Sequence, residues 1–272
     1  MEYQKILPPP HLRNHVRYFW TLESDTAEIT PKTFKTFADG SPGIIYQQSD
    51  KGCFYQEEKK LPPVFLYGQT TRHTNIHSPA SFRTIGVYFY PHALQSVFGL
   101  NASGLTDTCL DLTELAKEQG APLSEQQLLD SGSFHTQIEV LNTYIFHQIS
   151  KYDKQDGSFL PHALSRIIES GGNIPLKTLL EELGMTERSF ERKFQQGVGM
   201  SPKLFARICR FQASLSQLRN NRFGKLSDIA FENEYADQSH FIRAFKEFAG
   251  FTPNKYQQRS SELVENFPEM IL

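Results

Sequence analysis

One spacing limits what this chain can become more than any other. A Phe-x-Arg-x-Phe pattern occurs twice, 51 residues apart: Phe190, Arg192 and Phe194, then Phe241, Arg243 and Phe245. Each copy is followed by Gly-x-(Ser/Thr)-Pro, as Gly199, Ser201 and Pro202 and again as Gly250, Thr252 and Pro253. In a helix, Phe241, Phe245 and Phe248 fall at i, i+4 and i+7 on one apolar face. Ser239, Arg243 and Lys246 repeat that spacing on the opposite face, with Gln238 and His240 beside them in the first turn. Thr186 and Asp237 are the predicted N-caps, because their side-chain oxygens can accept from the first free backbone N–H groups. Gly199 and Gly250 stop the helices, a hydroxyl residue caps the next one, and Pro takes its first turn. One such helix is an ordinary amphipathic surface helix. Two in tandem are a repeated unit.

Upstream of each copy lies a shorter apolar helical pattern, at 176–183 ending at Gly184 and at 227–233 just before Tyr235. A short helix, a tight turn and an amphipathic helix make a helix-turn-helix. The two units are joined by a long helical pattern over 202–218. At about 1.5 Å per residue that helix is about 25 Å long. With its flanking helices it is adequate to hold two readers about 34–36 Å apart, one turn of DNA.

The first hundred residues read differently. Aromatic or β-branched runs at 16–22, 34–37, 43–46, 64–67 and 82–90 are broken by Gly, Pro, Asp and Ser, which suggests a sandwich or barrel of short strands. A short helix over 91–99, stopped by Gly99, should follow. Leu112, Leu115 and Ala116 then begin a helical pattern, and 134–149 continues it with Ile138, Leu141, Ile145 and Ile149 in one stripe. That stripe suits a dimer contact or packing on the chain's own barrel. The stretch 151–158 is polar and aperiodic and reads as a linker. The expected organisation is thus α+β: a sensor or dimerisation domain over 1–150, a linker over 151–158, an all-α domain over 159–258 and an acidic tail over 259–272.

Charge divides along the same line. Residues 1–158 carry 13 Lys and Arg against 17 Asp and Glu, whereas 159–259 carry 15 against 10. The overall charge of −2 therefore hides a helical part at +5, and phosphate attraction acts locally through screened solvent. The cysteines, Cys53, Cys109 and Cys209, are odd in number and scattered. They fit neither a disulfide framework nor a metal knuckle, and a reducing cytoplasm is expected. No apolar run approaches a membrane span, and the N-terminus lacks the basic-then-apolar order of an export signal.

Residues Asp228-Ile-Ala230, the stretch from Tyr235 to Phe241, and Gly250-Phe-Thr-Pro253 together resemble the AraC/XylS family of transcription regulators, over roughly residues 160–257. Gly86-Val-Tyr-Phe-Tyr-Pro91-His-Ala-Leu94 more faintly resembles the small β-barrel, cupin-like sensor domains that precede such modules. The resemblance implies a sequence-specific DNA-binding regulator. It leaves RNA polymerase, a small-molecule effector and a homodimer partner open. One departure stands out: Glu234 occupies the turn position where that family usually has Gly, which is sterically costly if the position needs positive φ.

The N-terminal part of a second helix in such a motif meets base edges. Arg188, Ser189, Glu191 and Arg192 are the candidate readers in the first copy, and Gln238, Ser239, His240 and Arg243 in the second. Arginine's fork suits guanine, Gln238 could pair with adenine, and Glu191 could accept from cytosine or orient an arginine. Lys193 and Lys246 are placed for phosphates. In the front half, Tyr18, Trp20, Tyr46 and Tyr67 are candidate effector contacts or core fillers. No cofactor is expected. His73 and His77, like His11 and His15, are four apart, which on a helix suits zinc. The first pair sits in an expected strand, where the interval is about 13 Å, too far for joint ligation. The chain shows no phosphate loop or nucleophile elbow. An enzyme reading, a metal-binding barrel with the helices as a DNA address, remains the alternative.

Overall fold

The computed structural model describes residues 1–24, 31–152, 159–220 and 222–259. Its N-terminal part is built on two antiparallel sheets. Strands β1 (Glu2–Ile6), β2 (Val16–Ser24), β3 (Lys32–Thr36), β4 (Gly43–Gln48) and β5 (Tyr55–Gln56) come first. They are followed by β6 (Lys59–Lys60), β7 (Val64–Tyr67), β8 (Thr74–Ser78), β9 (Phe82–Phe89) and β10 (Cys109–Asp111). The larger sheet has the order β1-β2-β9-β4-β7-β10 and the smaller β3-β8-β5-β6.

The larger sheet is buried on both faces, which is why its central strands read as near-continuous apolar runs. Phe19, Ile44, Tyr46, Ile85, Val87 and Phe89 point toward helices α1 (Ala93–Phe98), α2 (Leu112–Glu118) and α4 (Phe134–Tyr152). Tyr18, Trp20, Leu22, Phe65 and Tyr88 point toward the smaller sheet. Val16 and Tyr18 break the alternation because a bulge shifts the register between them. Trp20 pairs with Gly86, and Gly43 with Tyr67. A side chain at either glycine would run into the facing ring, so both rings lie flat over glycine and leave room between the sheets.

Asp111 caps α2 by accepting the Thr113 and Glu114 N–H groups, and Gly99 ends α1 with φ 66°. A further helix, α3 (Glu125–Asp130), starts at a Ser124–Gln127 capping box. The α4 stripe Ile138, Leu141 and Ile145 is buried with Tyr144 against the chain's own sheet and α1. It is therefore not a free face for a second copy. The proposed linker falls on 153–158, outside the described residues, and its first two positions, Lys151 and Tyr152, close α4. The acidic tail beyond Arg259 also lies outside them.

The remaining helices share one core: α5 (Leu160–Glu169), α6 (Leu176–Leu183), α7 (Glu187–Val198), α8 (Pro202–Arg219), α9 (Leu226–Glu232), α10 (Gln238–Ala249) and α11 (Pro253–Arg259). Most of its aromatic members are phenylalanines of both motifs and of α8. The core also takes in Ala38 from the N-terminal part. The run 34–37, expected as strand, leaves the sheet after Thr36. Phe37 then meets the rings of Phe211, Phe251 and Tyr256 edge-on.

Candidate nucleic-acid interface

In the first motif, α6 ends at Gly184 in the left-handed conformation, φ 60°. The Gly184 N–H donates to Glu181 O and the Met185 N–H to Leu180 O. Thr186 then caps α7 by accepting the Ser189 N–H at 3.4 Å. Phe190 and Phe194 are fully buried, which turns Arg188, Glu191, Arg192 and Lys193 to solvent. Ser189 is half-buried. Among the described residues, neither arginine makes an ion pair, with Glu191 or with any other side chain.

The second motif repeats this geometry with one residue more in the turn. The Glu234 N–H donates to Phe231 O at 3.1 Å and the Tyr235 N–H to Ala230 O at 2.9 Å. These bonds match the Gly184 turn at an offset of 50, whereas the phenylalanines match at 51. Ala236 is the inserted residue. Its N–H donates to His240 Nδ1 at 3.3 Å, and the His240 ring packs edge-on against Tyr235. His240 thus closes the longer turn with one ring nitrogen, and only its other edge is left to face a base. Asp237 caps α10 by accepting the His240 N–H at 2.6 Å. Gln238, Ser239, Arg243 and Lys246 are exposed, over a floor of buried Phe241, Phe245 and Phe248.

Glu234 has φ 53°, the left-handed conformation that Gly184 adopts in the first copy. A side chain there crowds its own carbonyl at a cost of about 1 kcal/mol. Glu234→Gly is therefore expected to stabilise the protein by about 1 kcal/mol, read as an increase in urea midpoint at unchanged slope. An unchanged or lowered midpoint would show that the turn carries no such strain.

Both α7 and α10 end against the N-terminal part. The Thr106 hydroxyl donates to Gly199 O at 2.8 Å. A Cβ at Gly199 would lie 2.9 Å from Ala102 O, and one at Gly250 would lie 2.7 Å from Lys35 Nζ and 2.8 Å from the His73 ring. Between these two docking points, the Ala38 N–H donates to Phe248 O at 3.2 Å, and Gln212 Nε2 donates to Ala38 O at 2.6 Å. His73 thus faces the end of α10, while His77 pairs with the Thr33 hydroxyl at 3.0 Å. The two histidines serve separate contacts.

Behind this junction is a cavity of about 580 Å³. Trp20, Phe34, Phe65 and Tyr67 line it from the sheets, and Leu215, Arg219 and Tyr256 from the helices. Of the four aromatic candidates, Trp20 and Tyr67 therefore face it. Tyr46 does not, because strand alternation turns it under the helices. Tyr18 is packed on Tyr88 with the Lys5 ammonium over its ring and is not in the lining either. Asp39, which is buried, lines the cavity as well. One of its oxygens accepts from the Ser41 N–H at 3.0 Å and from the Thr70 hydroxyl, and the other from the Tyr88 hydroxyl at 3.2 Å. Burial pushes its carboxyl up to about 6, against the opposing pull of these bonds and of Arg17. Sequence reasoning did not place Asp39 and Arg219 at a site because the cavity's lining is assembled from segments far apart in the chain.

Two capped helices anchored by phenylalanine, each turning arginine outward and sharing one core, define a tandem helix-turn-helix module joined to a β-rich partner. Residues 179–259 match the family described as a helix-turn-helix domain, and residues 4–111 match a domain of unknown function (DUF6597). The C-terminal part of the chain is an AraC-type helix-turn-helix domain. An uncharacterized HTH-type transcriptional regulator of Haemophilus influenzae is 33% identical over 86 residues, 32% of this chain and 28% of its own. Another, from Staphylococcus aureus, is 25% identical over 154 residues, 57% of this chain and 20% of its own. The chain thus spans less than a third of the length of either relative. Among solved structures, ToxT from Vibrio cholerae with an unsaturated fatty acid bound aligns over 88% of this chain and 94% of its own. The identity is 16% and the TM-score 0.44. The C-terminal domain of the response regulator AraT from Geobacillus stearothermophilus aligns over 42% of this chain and 94% of its own, at 20% identity and TM-score 0.35.

Proposed function

We propose that this protein is a sequence-specific, double-stranded-DNA-binding transcription regulator whose α7 and α10 enter successive major grooves. The observation that carries this is the pair of outward faces, Arg188/Arg192 and Gln238/Ser239/Arg243, on helices whose opposite faces are locked into one core. Arg188, Glu191, Arg192, Gln238, Ser239 and Arg243 read bases, and Lys193 and Lys246 hold phosphates. Ser189 and His240 act mainly within their own turns. The role is non-catalytic and belongs in the cytoplasm, where RNA polymerase is the machinery such a regulator influences. Among the described residues no helix is long and apolar enough to cross a membrane.

The cavity is the candidate effector site. Its walls come from both parts of the chain, so a small apolar molecule bound there touches the helical core and the sheets at once. Trp20 and Tyr67 would contact its body.

The test is a titration with duplex DNA enriched by the full chain from a randomised pool, followed by fluorescence anisotropy at several salt concentrations. Binding is expected to weaken with salt, log K falling with log salt at a slope of about −0.9 per phosphate neutralised. Absence of salt-dependent binding to any duplex would end this reading.

A further inference from the structure

Recognition helix α7 does not stand clear of the N-terminal part. A 3-10 turn, Ala102–Gly104, capped by Asn101, packs beside it. Between turn and helix lies a cleft of about 480 Å³. One wall is Arg188, Glu191, Arg192 and Gln195, which at i, i+3, i+4 and i+7 are the outward face of α7 itself. The other wall is Asn101 and Ser103. Both of these side chains are exposed. The Asn101 oxygen accepts from the Ser103 N–H at 3.1 Å and from its hydroxyl at 2.7 Å. That leaves the amide's own N–H groups as donors without a partner among the described residues. No charged residue stands in the stretch 100–106. On the helix wall two arginines outweigh Glu191.

The major groove is about 12 Å wide, and a helix with its side chains is about 10–12 Å across. An inserted helix therefore has a phosphate backbone against each flank. Anything packed along one flank must either contact that backbone or collide with it. Here the turn is set back across an open polar cleft, and it presents donors and no carboxylate. We propose that a DNA backbone phosphate occupies this cleft, held by Asn101 and Ser103 on one side and by Gln195 on the α7 wall, while Arg188 and Arg192 reach past it to the bases. The N-terminal part then makes a third, sequence-independent contact to the duplex. This rests on the reading of α7 as a DNA-binding helix. Phosphate contacts position a protein without reading sequence, so the turn fixes how α7 sits in its groove.

Three variants of the full chain test it: Ser103→Asp, Ser103→Lys and Gly104→Lys. Ser103 is exposed, and a Cβ at Gly104 would meet nothing within 4 Å. The Gly104 backbone also lies outside the left-handed region, so all three should fold. The probe is the duplex enriched by the parent chain, titrated at several salt concentrations. The aspartate variant is expected to bind about tenfold more weakly at low salt. Both lysine variants should bind several-fold more tightly, with a salt slope steeper by about 0.9. If all three match the parent in affinity and slope, no phosphate enters the cleft, and this inference falls while the DNA-binding reading stands. If aspartate and lysine variants alike bind more weakly, the turn collides with DNA rather than holding a phosphate, and the inference is equally overturned. A parent that binds no duplex overturns the DNA-binding reading and this inference together.

Discussion

Arg192→Ala and Arg243→Ala should each weaken binding to the enriched duplex by about 10- to 100-fold. A bidentate arginine–guanine pair contributes about 1–3 kcal/mol of discrimination, and both side chains are exposed. Each sits between two buried phenylalanines, Phe190 and Phe194 or Phe241 and Phe245, so the backbone that presents it is fixed by packing the substitution does not touch. The loss should be confined to specific DNA, with preference relaxing at one position per arginine. Lys193→Ala and Lys246→Ala should behave differently, lowering affinity evenly across sequences and flattening the salt slope by about 0.9 each. Parent-like affinity and specificity in both arginine variants would remove them from the reading set.

Asp39 should make stability depend on pH in a window where few carboxylates do. Burial raises its carboxyl from the ordinary 3.8 to about 6 in the folded protein, so the folded state holds that proton more tightly than the unfolded chain. The stabilisation is complete below about pH 4 and is lost as pH rises toward 6. Above that both states are ionised and the loss levels off. The gap corresponds to about 3 kcal/mol. Asp39→Asn stays neutral throughout and keeps an oxygen for the Ser41 N–H and the Thr70 hydroxyl. Urea unfolding at a series of pH values should show the variant gaining about 3 kcal/mol on the parent between pH 4 and 7. A difference that stays constant across that range would mean that Asp39 titrates normally.

The parts of this molecule that were legible in its sequence are those governed by local rules. Caps at Thr186 and Asp237, glycine stops at Gly199 and Gly250 and the phenylalanine spacing each depend on a few neighbouring residues, and the structure has them where the pattern places them. The strain at Glu234 was legible for the same reason, since a residue type conflicted with its place in a repeated turn. What depends on distant segments was not legible. The strand around His77 was legible, but the short pairs β5 and β6 that join it in the smaller sheet are too brief to stand out before their partners are known. The bond that His240 makes in its own turn was hidden because it depends on the extra residue Ala236. Tyr46 and Trp20 could not be told apart as cavity candidates until strand register assigned them to opposite faces. The α4 stripe had the right period for a dimer contact and for a core, and only the neighbouring sheet decides between them.

Ala38 is counted with the sheets by chain order and with the helices by packing. The chain crosses from one core into the other and back within a few residues, at Phe37, Ala38 and Gly40. Such a crossing restricts how proteins of this plan can be assembled from interchangeable parts. A recombination that swapped the front segment would also have to supply a stretch that fills the Ala38 site, offers its carbonyl to Gln212 and sets an aromatic ring, as Phe37 does, against Phe211. Front and back halves joined this way are expected to be inherited as matched pairs, even though their ends lie more than a hundred residues apart from the point where they meet.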